Sequence, residues 1–144
     1  MALSREVMLA GTERFYAAMS GHDLDTIMEL VDDSVVDHQI PPGMPNGKDG
    51  VRGFFDMMIA STPDMTFEIL DVLISGNRAC IRSKVTGTQT GEFMGMPATN
   101  KPFDVEGIDI VEVNDDEKVV EHWGIFDTMG MMMQTGLVEP PPQG

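Results

Sequence analysis

The sequence predicts an α+β domain in which about three helices cover the concave face of a cone-shaped, curved antiparallel sheet. Two observations lead to that class. Apolar residues recur at helical spacing through the first third of the 144-residue chain, and residues 64–127 alternate apolar with polar as strands do. Helices grouped before a long meander segregate to one face of the sheet, and a cavity then remains between the two layers. The length allows one domain, assigned to residues 1–137 and followed by a Pro-rich tail at 138–144.

Ser4 is placed to cap a first helix, in which Val7, Met8, Gly11, Phe15, Ala18 and Met19 repeat at helical spacing; Ser20-Gly21 ends it. Asp23 caps a short second helix through Leu24, Ile27, Met28, Leu30 and Val31. Val35–Ile40 reads as a short extended piece, and Pro41–Gly47 as an irregular loop. A third helix starts at Asp49 or Gly50, gathers Val51, Phe54, Phe55, Met58 and Ile59 on one side, and stops before Pro63. Thr66–Ile74 and Arg78–Gln89 alternate as strands around the Gly76-Asn77 turn. Thr90–Pro102 is a loop, Phe103–Val113 a third long strand, and Lys118–Phe126 a fourth beyond the turn at Asn114–Glu117. Asp127 or Thr128 caps a last helical turn or two that ends at Gly136.

Composition narrows the function classes. The apolar fraction of 42% is ordinary, but 9 Lys and Arg against 24 Asp and Glu leave a net charge of −15. Nucleic acids and anionic membrane surfaces both need clustered cations, so neither is an expected partner. No apolar run reaches the length that spans a bilayer, and the charged N-terminal stretch lacks the apolar centre of a signal peptide. Cys80 is the only cysteine, which rules out an intrachain disulfide and multi-cysteine zinc sites and suits a reducing, cytoplasmic setting. Methionine is unusually frequent, at 14 residues. Met fills irregular cores, and it also lines pockets for flat ligands.

Strand alternation decides which side chains share the cavity. Phe103, Val105, Gly107, Asp109, Val111 and Val113 form the more apolar face of their strand, which turns Asp109 inward. The last strand carries Val120, His122, Gly124 and Phe126 on one face and Val119, Glu121, Trp123 and Ile125 on the other. Hairpin pairing then brings Asp109 beside His122, with Cβ atoms ~5 Å apart if they are direct partners. Such a pair is either a general acid/base couple or a buried polar pair that satisfies itself. Phe15 and Tyr16 from the first helix, Phe54 and Met58 from the third, and Phe126 are the expected substrate-binding wall. His38 reaches the cavity mouth in one reading and is a surface residue in the other. Arg82 shares a face with Cys80 and Lys84, away from the cavity. No short ligand spacing marks a metal site; His38, Asp109 and His122 would be the only set. No Gly-rich phosphate loop marks a nucleotide cofactor.

Several stretches in series resemble one family: Asp37-His38, Gly47–Phe55, Thr62–Met65, Gly87–Pro97, Gly107–Ile110, Val120–Trp123 through Asp127, and Gln134–Gly136. Over about residues 5–137 the chain is similar to the SnoaL-like polyketide cyclases of the nuclear-transport-factor-2-like superfamily. The resemblance implies a homodimeric α+β cone that uses no metal or organic cofactor. Its characterised members close a ring by intramolecular aldol condensation, an acidic residue taking a proton from the carbon next to a carbonyl. Their catalytic aspartate directly precedes the tryptophan of the last strand, where this chain has His122 before Trp123. Their assisting histidine on the preceding strand matches Asp109. The two residue types are exchanged, and either can be the base.

The expected function is therefore cofactor-independent cyclase or isomerase chemistry on a hydrophobic, polyketide-like substrate. Two alternatives remain. One is an epoxide hydrolase in which Asp109 activates water, a chemistry that wants a carboxylate–arginine–carboxylate set; alternation turns no second acid inward here, and Arg82 points the wrong way. The other is a non-catalytic binding protein for a hydrophobic metabolite. The outer sheet face, with Ile108, Ile110, Trp123 and Ile125, suits a two-fold interface.

Overall fold

A computed structural model describes residues 2–144. The elements are α1 (Arg5–Ser20), α2 (Leu24–Glu29), β1 (Val31–Asp37), α3 (Lys48–Ser61), β2 (Thr66–Ser75), β3 (Arg78–Thr88), β4 (Pro102–Val113), β5 (Val119–Phe126) and α4 (Thr128–Gln134). The sheet runs in the order β1-β5-β4-β3-β2, with helices against its concave side. Among the described residues, no helix is long and apolar enough to cross a membrane.

The caps follow the residues that suit them. Ser4 Oγ accepts from Val7 N at the start of α1, Asp23 from Thr26 N at α2, and Asp127 from Gly130 N at α4. Ser20, at the end of α1, ties that helix to the sheet. Its hydroxyl donates to Phe67 O at 3.1 Å and accepts from Phe67 N at 2.9 Å. Gln134 clasps α4 to β4 in the same way, through both backbone groups of Asp104. The core under α1 and α2 gathers Met8, Tyr16, Met19, Ile27, Met28, Val31, Val35, Ala79 and Ile81.

Three features differ from the sequence expectations. The extended piece begins at Val31 rather than Val35, because α2 stops at Glu29 and Leu30 passes its carbonyl to Val119 N. This strand, β1, pairs parallel with β5, so the otherwise antiparallel sheet acquires a parallel edge that brings Asp37 opposite His122. Finally, Val119 points inward. A register shift in the β4–β5 pairing matches Val113 with Val119 but Glu112 with Glu121, leaving Val120 as the extra residue of a bulge. Simple alternation cannot survive a bulge, since one added residue exchanges the faces beyond it.

Gly50 in the first turn of α3 shows how closely the loop before it packs: a Cβ there would run into the backbone carbonyl of Pro45. Gly50→Ala is expected to destabilise the protein by about 2 kcal/mol or more, as overpacking against rigid backbone does. The check is a lower urea midpoint with an unchanged m-value.

Candidate active site

Helices and sheet enclose a cavity of about 470 Å³, within the range of small-molecule sites. Its wall is mostly apolar. Phe15, Phe54, Met58 and Phe126 line it, as does Tyr16, so the five expected wall residues face the cavity. His38, which one reading put at the cavity mouth as a further substrate-binding residue, does not. Its backbone N–H continues the β1–β5 pairing to His122 O, and one position of alternation turns its side chain to the other side of the sheet. There it stacks on Trp123, with ring centroids 5.0 Å apart, and Nε2 lies 2.9 Å from Glu121 Oε1. His38, Asp109 and His122 therefore do not meet as a ligand set.

Asp109 and His122 do meet, though not as direct partners. Asp109 is paired with Gly124, and His122 with Val111, so the two approach along the diagonal. Gly124 makes the diagonal possible. A Cβ at that position would stand 2.7 Å from Asp109 Oδ1 and would collide with the Gln39 side chain. Across this gap His122 Nε2 reaches Asp109 Oδ1 at 2.8 Å.

The other face of the imidazole is also occupied. His122 Nδ1 lies 2.9 Å from Asp37 Oδ1, which in addition accepts from Gln39 N at 2.8 Å. Asp37 corrects the expectation that no second acid stands inside. The parallel pairing of β1 with β5 hid it, because pairing partners distant in sequence leave no local signal. Its presence in the Asp37-His38 pair of the family resemblance, and its alternation with inward Val35, were the available hints. On the cavity side, Tyr16 donates to Asp109 Oδ2 at 2.7 Å. The result is one continuous chain, Asp37–His122–Asp109–Tyr16, contributed by β1, β5, β4 and α1.

The electrostatics follow from that chain. Burial alone would lower the His122 pKa. The hydrogen bonds and negative charges of Asp109 and Asp37 outweigh it and raise the value from 6.5 to about 9. At neutral pH His122 is thus an imidazolium donating from both nitrogens. Burial, then the charge of Asp109 and the hydrogen bond to it, hold the Tyr16 hydroxyl well above its ordinary pKa, so it stays a donor. Access falls along the chain: the Asp109 side chain is 26% exposed, His122 18% and Asp37 11%. Asp109 is the most exposed of the three. Arg82 points outward to Glu106 at 2.8 Å, so the carboxylate–arginine–carboxylate set of an epoxide hydrolase is not assembled around Asp37 and Asp109.

A raised pKa in the folded state carries a stability signature. The contribution of His122 is fully present below its unfolded pKa of 6.5 and disappears as pH rises through about 9. NMR titration is expected to place the His122 ring near pH 9. Asp37→Asn should move it clearly downward. Urea unfolding should show an alkaline loss, on the order of 3 kcal/mol at most, that is missing in His122→Gln. A wild-type midpoint near 6.5 would remove the paired-imidazolium description.

The SnoaL-like polyketide cyclase family model matches residues 10–135. No curated protein sequence matches the chain. Among solved structures, TsrD from Streptomyces laurentii superposes with a TM-score of 0.85 at 25% identity, over 94% of this chain and 99% of that one. IdmH from Streptomyces antibioticus, provisionally assigned as a polyketide cyclase, is 32% identical over 90% of this chain and 98% of its own, with a TM-score of 0.77. AclR from Streptomyces galilaeus, provisionally assigned as a hydroxylase, shares the fold at 22% identity and a TM-score of 0.84, over 97% and 87%. The family match over nearly the whole folded region, with five strands and four helices in the same architecture, shows that this chain belongs to the SnoaL-like polyketide cyclase family.

Proposed function

We propose that the protein closes a ring in a hydrophobic, polyketide-like substrate by removing a proton next to a carbonyl, with Asp109 as the base. The observation that carries this reading is the placement of Asp109. It is the most accessible ionisable group of the chain, and it faces an apolar cavity while its charge is held by His122 and Tyr16. Each carboxylate oxygen accepts one hydrogen bond and keeps a second lone pair for the substrate.

Proton balance is closed within the site. Asp109 takes the α-proton, and the electron pair of the C–H bond passes into the neighbouring carbonyl as an enolate. The enolate carbon attacks a second carbonyl of the same molecule, a C–C bond forms, and the oxygen of that carbonyl becomes an alkoxide. Asp109 returns the proton to the alkoxide, or His122 Nε2–H supplies it and is refilled from Asp109. Nothing is oxidised or reduced. The substrate delocalises its own carbanion, so the step draws on positioning and one acid/base group, with neither metal nor organic cofactor. Asp37 keeps the imidazole charged and oriented, the part that a buried carboxylate plays behind a catalytic histidine.

The reading extends to assembly. Ile125 is 80% exposed, and Ile108 and Ile110 lie beside it on the outer sheet face with Trp123, a contiguous apolar area that supports a homodimer. A free thiol at Cys80 and the absence of disulfides fit a cytoplasmic enzyme.

Two experiments test these statements. Deuterium exchange at the α-carbon of slowly exchanging aromatic ketones, followed by NMR in deuterated buffer, is expected to be accelerated by the protein and slowed at least ~100-fold by Asp109→Asn. Exchange unaffected by that substitution would remove Asp109 as the base. Sedimentation at micromolar concentration is expected to show a dimer that Ile125→Lys converts to monomer; a monomeric wild-type protein would refute the interface.

A further inference from the structure

Proton abstraction by Asp109 would leave a negative charge on a substrate oxygen beside a carboxylate, inside an apolar wall. That oxygen needs a donor, and most donors around Asp109 are already engaged. The Tyr16 hydroxyl donates to Asp109 Oδ2, and both nitrogens of His122 are taken by Asp109 and Asp37. Thr12 donates back to Met8 O within its own helix.

Gln39 is different. It lines the cavity just past the end of β1, and among the described residues neither atom of its side-chain amide makes a hydrogen bond. Its backbone is anchored, since Gln39 N donates to Asp37 Oδ1. Its amide lies over Gly124: a Cβ there would meet the Gln39 carboxamide and Asp109 Oδ1 together. As the side chain stands, Oε1 is the amide atom nearest this point. A half-turn of the amide, which leaves its shape unchanged, puts Nε2 there instead, and electrostatics favours an N–H donor beside an anion.

We propose that Gln39 is a catalytic residue whose Nε2–H binds the oxygen on which the enolate charge develops. The assignment rests on the proton-abstraction reading above and adds a constraint on the substrate. The carbonyl that acidifies the reacting C–H must point to the Gly124 side of Asp109, away from Tyr16. The absence of a side chain at Gly124 is then the space that lets amide and carboxylate address one carbonyl and its neighbouring carbon. Preorganised donors at a developing oxyanion act strongly in a dry site.

The test reads charge binding directly. In Asp109→Asn the base is replaced by a neutral stand-in for its protonated form, and 4-nitrophenolate mimics the enolate; its absorbance separates bound phenolate from bound phenol. Asp109→Asn is expected to bind the phenolate. Adding Gln39→Met should weaken phenolate binding about tenfold or more while neutral phenol affinity changes little, the pattern of a lost hydrogen bond to a charged group. Gln39→Leu is likewise neutral and of similar size, without the donor. It should show the same loss, and it replaces the methionine variant if that one does not fold. Equal weakening of both ligand forms, or no weakening, would overturn the role of Gln39 while leaving Asp109 untouched. Failure of Asp109→Asn to bind either form would instead bring down the cavity as an enolate site, and Gln39 with it.

Discussion

One buried imidazole between two carboxylates organises this protein. His122 cannot hold a positive charge in an apolar cavity without compensation, and Asp37 and Asp109 supply it from opposite sides. The arrangement is reciprocal: the imidazolium keeps two acids tolerable in a space lined by Phe, Met and Val. Removing either acid would leave a charge with one partner, and removing His122 would leave two acids facing each other across a gap. The four links of the chain come from β1, β5, β4 and α1, so the network also records that the sheet edge, the final hairpin and the first helix are in place.

The backbone around the network is shaped to allow it. Asp109 and His122 are diagonal neighbours, a contact that depends on Gly124 having no side chain. The bulge at Val120 lets Val119 and His122 both face inward although three positions separate them. The parallel β1–β5 pair then carries Asp37 to the rear of the imidazole and Gln39 to the cavity. Each is a small departure from regular sheet geometry, and each falls beside the Asp37–His122–Asp109 network; such departures concentrate at functional sites.

Family membership and reaction are separate questions here. The cone is shared with proteins provisionally assigned to cyclisation and to hydroxylation, so architecture alone chooses neither. In this chain the carboxylate stands on β4 and the imidazole before Trp123 on β5. The more accessible position thereby falls to Asp109, while His122 sits deeper, backed by a second acid. On the proposed reading, depth in the cavity decides which of the two groups meets a substrate.

Much of this was legible in the sequence. Caps at Ser4, Asp23 and Asp127, the turns at Gly76-Asn77 and Asn114–Glu117, and the inward face of β4 are local properties, set by hydrogen bonds and periodicity within a few residues. Alternation alone was enough to turn Asp109 inward and Arg82 outward. Tertiary structure decided the rest. The parallel edge strand, the place of Asp37 behind His122, the exclusion of His38 to the Trp123 side and the phase change at Val119 all depend on which distant strand pairs with which, and in what register. Register is an energy of the whole sheet rather than of any segment. One added residue reverses faces without altering local composition, so no window of sequence could have shown it.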